Sequence, residues 1–343
     1  MGVNNSVSRI LKKRNNFGII ELDSFDKNKE NGLVYGSNAK CWFKFDDGRV
    51  LFKEYDNELE AFGEVLYSKI ADEYGISCAK YDFATYKNGR GTLTYDVAYS
   101  DNKIAIDGLT LFSRYNQDHL PKSIKNNTDN IEIMSMFNKK YNNYQELTKV
   151  FESRYPDDVK RLQHELIEMF ILDVLLDHVD KNLWNILLVS DEYGNNPHLV
   201  SIDSSHIACL YRGKDYIKNA INALLSSDGT ITIEDYLRGG VYGYDVDVKD
   251  RNYNPAKDLI EFYYNCDDNQ REDIAGFVKR IEIEDILEKM GKTCNIDPII
   301  VTWINAVFNS RKTFLLKKFY HINVNYKDEH IGKNFHLRVF KRK

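Results

Sequence analysis

The sequence predicts an α+β protein built of two lobes, the first rich in β-strands and the second mainly helical. Up to about residue 98, short β-rich runs alternate with turn residues around one helical pattern. From residue 104 onward the apolar residues recur at helical spacing. A chain of 343 residues is long enough for two lobes. We therefore expect an N-terminal extension over 1–31, an N-lobe over 32–103 and a C-lobe over 104–343.

The composition is that of an ordinary globular protein, and it argues against several functional classes. The net charge of -5 argues against a dedicated nucleic-acid binder. The five scattered cysteines contain no Cys-x-x-Cys pair, which argues against a zinc site or a disulfide framework. No uninterrupted apolar run reaches about 18 residues, and no signal-peptide pattern is visible. We expect a cytoplasmic protein that does not bind membranes, and its export as an effector stays open.

In the first lobe, five runs have the composition of β-strands and one has the periodicity of a helix. The strands are expected at 33–35, 41–45, 50–55, 81–86 and 92–98. The turn Asp46-Asp47-Gly48 predicts a hairpin between the second and third strands. Apolar residues at helical spacing predict a helix over 58–74, and Gly75 is placed to end it.

The second lobe is predicted to be helical apart from one hairpin. Helices are expected at 131–140, 144–155, 157–177, 216–225, 233–237, 255–264, 270–290 and 298–319. The helix over 157–177 follows Pro156 and is apolar on nearly every side in its second half, which predicts burial. A polar loop then leads to two short strands, 186–189 and 198–202, joined by a turn-rich segment.

The polar loop before these strands carries the residue types that phosphoryl transfer from a magnesium nucleotide requires. His178, Asp180 and Asn185 form the pattern His-x-Asp-x4-Asn, and Asn182 adds the pattern Asp-x-Asn-x-x-Asn. Asp203 ends the second strand. We expect Asp180 to orient the acceptor hydroxyl, Asn182 to act beside it, and Asn185 and Asp203 to offer oxygen ligands to Mg²⁺. The simpler interpretation is that these residues cap a helix end and shape a turn.

A lysine on the third strand is the candidate for contact with the nucleotide phosphates. Lys53 follows three apolar residues and can act there as a point charge, with Lys40 and Lys44 as alternatives. Glu64 lies on the next helix, where it could hold Lys53 in place, and Glu60 one turn earlier competes for that role. The order of strand lysine, helix glutamate, loop Asp, loop Asn and hairpin Asp favours a nucleotide site.

The segment Gly36-Ser37-Asn38-Ala39-Lys40 joins the first two predicted strands. Its small residues could bring backbone N–H groups close to phosphates. It matches neither Gly-x-Gly-x-x-Gly nor a Walker loop, so a plain turn is the alternative. We expect Gly36, Ser37 and Asn38 to contact the nucleotide together with Lys53 and Glu64, and Ser37 is a candidate phosphorylation site.

With these residues in place, the chain resembles the HipA-like serine/threonine kinases. The resemblance includes 36–40, Lys53, 63–66, 74–76, 175–188 and Asp203, and it covers roughly residues 32–210. It implies a bilobed, protein-kinase-like fold, ATP and Mg²⁺ as cofactors, and transfer to serine or threonine hydroxyls, including autophosphorylation.

The resemblance also assigns roles by position. It implies that Asp180 is the catalytic residue, that Asn185 and Asp203 are metal ligands, and that Lys53 holds the nucleotide phosphates. Asn182 and His178 depart from the family pattern, which usually has His and Asn at these two places.

Two other functions stay open from the sequence. A regulatory pseudokinase would explain the altered residues His178 and Asn182. A small-molecule phosphotransferase of the aminoglycoside type would share the pattern His-x-Asp-x4-Asn. The expected partner is a protein substrate with a serine or threonine hydroxyl, and an antitoxin-like or host partner is compatible with the resemblance. Direct binding to nucleic acid is not expected.

Overall fold

The computed structural model describes residues 7, 18–30, 38–98, 103–115, 144–227, 229–230, 232–233, 237 and 255–320. Within these ranges, a five-stranded sheet and one long helix are followed by a three-stranded sheet and a helical region. The predicted fold class is therefore confirmed: the protein is α+β, with a β-rich N-lobe and a mainly helical C-lobe. The domain boundaries at residues 31 and 103 stay predictions.

The N-lobe sheet consists of β1 Ile20–Glu21, β2 Lys40–Phe45, β3 Gly48–Glu54, β4 Tyr81–Tyr86 and β5 Gly89–Tyr95. Their order across the sheet is β1-β4-β5-β3-β2. β2 and β3 form the predicted hairpin, in a register that sets Lys40 opposite Lys53. β1 pairs in parallel with β4, so part of the predicted N-terminal extension adds an edge strand to the sheet.

Helix α1 spans Glu58–Tyr74, as the sequence predicts. The Asn57 side chain caps its N-terminus by accepting a hydrogen bond from the Leu59 N–H at 3.1 Å. Gly75 ends the helix with φ at 72°, a conformation that glycine adopts without a steric penalty. Most side chains of α1 are buried, because the helix packs against β4 and β5 and also against the C-lobe.

The three-stranded sheet consists of β6 Lys103–Asp107, β7 Ile186–Asp191 and β8 His198–Ser201, all antiparallel. β7 and β8 are the predicted hairpin. β6 corrects the expectation that the chain becomes helical from residue 104, because Ile104 to Ile106 pair with β7 instead. A short apolar run is compatible with a strand or a helix, and here a distant pairing partner decides.

The described helices of the C-lobe are α2 Gly108–Tyr115, α3 Tyr144–Arg154, α4 Val159–Leu175, α5 Gly213–Ser226, α6 Pro255–Asn265, α7 Asp268–Arg280, α8 Glu284–Thr293 and α9 Pro298–Phe319. Ten of the residues of α4 are buried, and they include every residue from Met169 to Leu175, as its apolar pattern predicts. α9 has the predicted bounds. The core built by α1, α4 and α9 is continuous, whereas a smaller apolar cluster including Phe43, Phe52 and Leu93 lies in the N-lobe sheet.

The single helix expected over 270–290 is wrong, because two helices occupy this region. α7 ends at Arg280, and Ile281 has the extended backbone angles φ -67° and ψ 123°. Both Ile281 and Ile283 are buried. The connection, which is extended at Ile281, places both side chains in the core, and α8 then begins at Glu284.

Three of the predicted elements lie wholly or partly outside the described residues. They are the strand at 33–35, the helix at 131–140 and most of the helix at 233–237. In the part of the chain that is described, no helix is both long enough and apolar enough to span a bilayer.

Candidate active site

Backbone hydrogen bonds join the polar loop after α4 to the segment that follows β8. The Val179 N–H donates to the carbonyl oxygen of His206 at 3.1 Å, and the Ile202 N–H donates to that of Asn185 at 3.0 Å. Two strands of a hairpin thus return Asp203 to the loop that carries Asp180. Asp180 and Asp203 therefore lie on two segments whose backbones are hydrogen-bonded to each other, although 22 residues separate them in the sequence.

The side-chain amides of the loop form hydrogen bonds to its backbone, whereas the carboxylate of Asp180 is exposed. Asn185 Nδ2 donates to the Asp180 carbonyl oxygen at 2.9 Å, and Asn182 Nδ2 donates to the same atom at 3.2 Å. Asn182 Oδ1 also accepts from the Trp184 N–H at 2.9 Å, capping the short 3-10 helix Leu183–Asn185. The side chain of Asp180 is 56% exposed. Asn182 therefore has the turn-shaping role of the simpler interpretation, and its catalytic role stays a prediction.

Lys53 on β3 contacts two carboxylates from different elements. Its Nζ lies 3.6 Å from Oε1 of Glu64 on α1 and forms an ion pair with Asp203. Lys53 and Glu64 are both buried. Geometry thereby decides between the two candidate glutamates: Glu64 faces Lys53, whereas Glu60 lies 3.3 Å from Nε2 of His206.

The charges in this cluster stabilise one another. Burial would lower the pKa of Lys53, but the carboxylates of Glu64 and Asp203 raise it overall. Burial raises the pKa of Glu64, and Lys53 only partly offsets that effect. Burial would also raise the pKa of Asp203, yet the adjacent Lys53 lowers it. Lys53 is thus held as a cation and Asp203 as an anion at neutral pH.

Neutral hydroxyl groups hold the carboxylate of Glu64 and the backbone of Asp203. Oε2 of Glu64 accepts hydrogen bonds from the Tyr55 hydroxyl at 2.8 Å and from Oγ1 of Thr92 at 2.6 Å. The backbone N–H of Asp203 donates to the Tyr81 hydroxyl at 3.1 Å. Asp203 has φ at 52°, a left-handed conformation that is uncommon outside glycine and asparagine-like residues.

The strand next to Lys53 supplies a second cation. Lys40 is opposite Lys53 across the β2–β3 hairpin, and burial lowers its pKa while the negative charge of Asp203 opposes that change. Asn38 lies two residues before β2 and is half-buried. Gly36 and Ser37, which the sequence assigns to the same phosphate-binding segment, lie outside the described residues.

A buried polar network beneath the loop was missed by the sequence analysis. Nδ1 of His178 lies 2.9 Å from Oδ1 of Asp173, which also accepts a hydrogen bond from the Tyr67 hydroxyl at 2.9 Å. Nζ of the buried Lys181 donates to Oγ of Ser201 at 2.5 Å. Asp173, the one acidic residue in the buried run Met169–Leu175 of α4, was the available sequence signal. These side chains support the loop on its buried side.

Asp203 and Asn185 have donor atoms suited to Mg²⁺. Asp203 is an anion, and Asn185 uses Nδ2 in its bond to Asp180, which leaves its amide oxygen for another partner. Among the described residues, no group of three or more His, Cys, Asp or Glu is arranged to hold a metal. Mg²⁺ bound with a nucleotide needs only one or two protein carboxylates, because phosphate oxygens and waters complete its shell. The donor set therefore fits Mg²⁺.

Comparisons with known proteins show which solved structures share this fold. No family model matches the chain, and no curated protein matches it in sequence. Among solved structures, the Helicobacter pylori proinflammatory kinase CtkA matches with 15% identity and a TM-score of 0.59, over 89% of this chain and 97% of that one.

Two further structures match with lower scores. HipA of Shewanella oneidensis MR-1, solved with HipB and operator DNA, has 9% identity and a TM-score of 0.36 over 92% of this chain and 70% of that one. Spectinomycin phosphotransferase APH(9)-Ia has 13% identity and a TM-score of 0.21 over 83% and 92%. Of these three structures, CtkA alone has a TM-score above 0.5, and it matches nearly end to end. The predicted resemblance is confirmed at the level of fold: the chain has the kinase-like fold of CtkA.

Proposed function

We propose that the protein is an ATP- and Mg²⁺-dependent serine/threonine protein kinase of the HipA-like type that also phosphorylates itself. The observation that carries the proposal is the position of Lys53. Its ammonium group lies between Glu64 of α1 and Asp203 after β8. Backbone hydrogen bonds join the segment that carries Asp203 to the loop that carries Asp180. Three separate elements thus bring together a cation, an anion and an exposed carboxylate.

Each residue has a distinct part in this proposal. Lys53 would neutralise charge on the nucleotide phosphates, with Glu64 holding its ammonium group in place. Asn185 and Asp203 would hold Mg²⁺, which supplies charge neutralisation at the phosphates. Asp180 would orient the acceptor hydroxyl and accept its proton late in the transfer. Most of the rate enhancement would come from positioning and electrostatics rather than covalent chemistry.

The remaining predicted contacts belong to the same proposal. Asn182 would keep the Asp180 loop in shape, and Gly36, Ser37 and Asn38 would approach the nucleotide phosphates. The acceptor would be a protein hydroxyl, and an antitoxin-like or host protein would be the regulatory partner. We propose the cytoplasm as the place of action.

The decisive experiment is phosphate transfer from labelled ATP with Mg²⁺. The purified protein is incubated alone, with a panel of mixed protein acceptors, and with a panel of aminoglycosides. The variants Asp180→Asn and Asp203→Asn are expected to lose transfer while keeping the wild-type melting temperature within a few degrees. Asp268→Asn is the matched control, because that carboxylate is 99% exposed on α7. It is expected to behave as the wild type.

Each outcome has a definite meaning. Label on the protein or on protein acceptors, lost in both site variants, supports the kinase. Label only on aminoglycosides would instead assign a small-molecule phosphotransferase. A rise in melting temperature with ATP and Mg²⁺ but no transfer would point to the pseudokinase. Absence of both binding and transfer would overturn the proposed function.

A further inference from the structure

Two glutamates of α1, one helical turn apart, reach two different parts of the candidate site. Residues four apart on a helix lie on the same face. Glu64 contacts Lys53, on the side proposed to hold nucleotide phosphates. Glu60 instead contacts His206, three residues after Asp203. The proposed kinase function uses the first contact and leaves the second unexplained.

His206 lies between Glu60 and the Asp180 carboxylate. Its Nε2 is 3.3 Å from Oε2 of Glu60, and its Nδ1 is 3.6 Å from Oδ2 of Asp180. A neutral imidazole has one N–H donor, whereas the imidazolium has two. Only the protonated ring can therefore donate towards both carboxylates at once.

The surroundings of His206 favour the charged ring. Glu60 comes from α1, Asp180 from the polar loop and Asp203 from the end of β8, and all three are acidic. The ring of Tyr211 packs against the imidazole with the centroids 5.0 Å apart. Burial would lower the pKa of His206, but the hydrogen bond to Glu60 and the charges of Asp180 and Asp203 raise it overall.

A backbone hydrogen bond holds His206 beside the loop that carries Asp180. The carbonyl oxygen of His206 accepts the hydrogen bond from the Val179 N–H, one residue before Asp180. This bond keeps the backbone of His206, from which the imidazole extends, beside the loop. The side chain of His206 is 33% exposed, so its protonation can follow the pH of the solvent.

We propose that His206 is a positioning residue whose imidazolium joins Glu60 of α1 to Asp180. This inference rests on the proposed kinase function. The protonated ring holds the exposed carboxylate in one orientation, and loss of the proton releases it. Because phosphoryl transfer depends on positioning, the transfer rate falls as His206 loses its proton. The position of α1 and the protonation of His206 then both control the orientation of Asp180, the residue proposed to orient the acceptor hydroxyl.

The first test needs no enzymatic activity. The protein is labelled on its eight histidines, and the NMR signal of His206 is assigned by its loss in His206→Gln. The pH titration of that signal is then compared between the wild type, Glu60→Gln and Asp180→Asn. Each variant removes one carboxylate and is expected to lower the pKa of His206 by about 1 unit. Glu58→Gln, on an exposed position of the same helix, is expected to leave the titration unchanged.

The second test measures transfer against pH. In the wild type, the rate is expected to fall on the alkaline side of the pKa that NMR gives for His206. His206→Gln is expected to lower kcat by about 10- to 100-fold, to keep the KM for ATP within about twofold, and to lose that alkaline fall. A merely structural role for His206 would lower the rate equally at every pH.

The two tests separate this inference from the kinase proposal. An unchanged NMR titration in both Glu60→Gln and Asp180→Asn would overturn the bridge, whatever the activity. Parallel pH profiles of the wild type and His206→Gln would overturn the positioning role. A wild-type protein that transfers no phosphate would overturn the kinase function, and with it the role in catalysis, while the titration still decides whether His206 links the two carboxylates.

Discussion

Replacing Gly63 with alanine tests how closely α1 packs against the segment that follows Asp203. Gly63 lies on α1 directly before Glu64. A Cβ at this position would be 2.8 Å from the carbonyl oxygen of Ser205 and 3.2 Å from Cγ1 of Ile207. The first distance is shorter than real Cβ contacts, and the atom it meets is backbone. The helix or the segment must therefore move.

Two effects of opposite sign set the size of the change. Alanine in a helix interior is about 1 kcal/mol more favourable than glycine. Overpacking a well-filled contact costs about 1–3 kcal/mol. Gly63→Ala is therefore expected to range from neutral to about 2 kcal/mol less stable than the wild type.

A second helical glycine supplies the control. Gly276 lies on α7, where an added Cβ would meet only Nη1 of Arg280, at 3.7 Å, which is ordinary contact. Gly276→Ala should stabilise the protein by up to about 1 kcal/mol. The two alanine variants are thus expected to differ by about 1–3 kcal/mol, with the Gly63 variant the less stable.

Thermal and urea unfolding of the two variants, side by side, measure this difference. Phosphate transfer gives a second readout, because a shift of α1 moves Glu64, whose Oε1 is already 3.6 Å from Nζ of Lys53. Gly63→Ala is expected to transfer about tenfold more slowly, and Gly276→Ala at the wild-type rate. Equal stabilisation by both substitutions would refute the close packing of α1 against this segment.

Two further substitutions test the support beneath the loop. Arg311→Met should lower the free energy of unfolding by about 3 kcal/mol, because it leaves the largely buried Asp177 without its ion-pair partner. Urea unfolding checks it, and adding Asp177→Asn should recover part of the loss. Burial lowers the pKa of His178 in the folded state. Unfolding therefore takes up protons, and stability should fall as the pH drops below about 6.5. His178→Gln should flatten that fall in melting temperature between pH 7 and 5, and an unchanged slope would contradict the assignment.

Elements whose ends carry local signals could be predicted from the sequence. α1 begins after the capping residue Asn57 and ends at Gly75, so both ends are encoded locally. α9 begins at Pro298, which suits the first turn of a helix, and the Asp297 side chain accepts from the Ile299 N–H at 3.0 Å. In each case the amphipathic pattern and the end signals agree.

Elements decided by distant contacts were not predictable in this way. β6 is a strand because β7 lies beside it, and residues 103–107 contain no signal of their own for that pairing. The break between α7 and α8 contains neither proline nor glycine. Its only local trace is the alternation of Ile281 and Ile283 with acidic residues, a period of two that suits an extended segment.

The candidate site likewise contains residues that the sequence predicts and residues that only distant contacts reveal. The order of Lys53, Glu64 and Asp203 along the chain was enough to expect one cluster, although the choice of Glu64 over Glu60 needed the structure. Lys181 could not be identified, because a lysine in a polar loop normally predicts a solvent-exposed side chain. It is buried in the structure, where Ser201 of β8 lies beside it and accepts one of its hydrogen bonds.

The spacing of residues on α1 explains how one helix can serve the whole site. Glu60, Gly63, Glu64 and Tyr67 follow the i, i+3, i+4, i+7 spacing of a single helical face. Along that face, Glu60 contacts His206, Gly63 permits the close approach of the segment after Asp203, Glu64 contacts Lys53, and Tyr67 donates to Asp173.

A change at α1 must therefore act on several parts of the site together. Each residue of an α-helix is rotated by about 100° from the last, so a one-residue turn of α1 would remove all four contacts. A small translation would strain them to different degrees, because backbone at Ser205 yields less than the long side chain of Lys53. Either movement would displace Glu60 from His206 and Glu64 from Lys53 together. In the proposed kinase, the nucleotide contact of Lys53 and the acceptor contact of Asp180 would for this reason be mechanically coupled through α1.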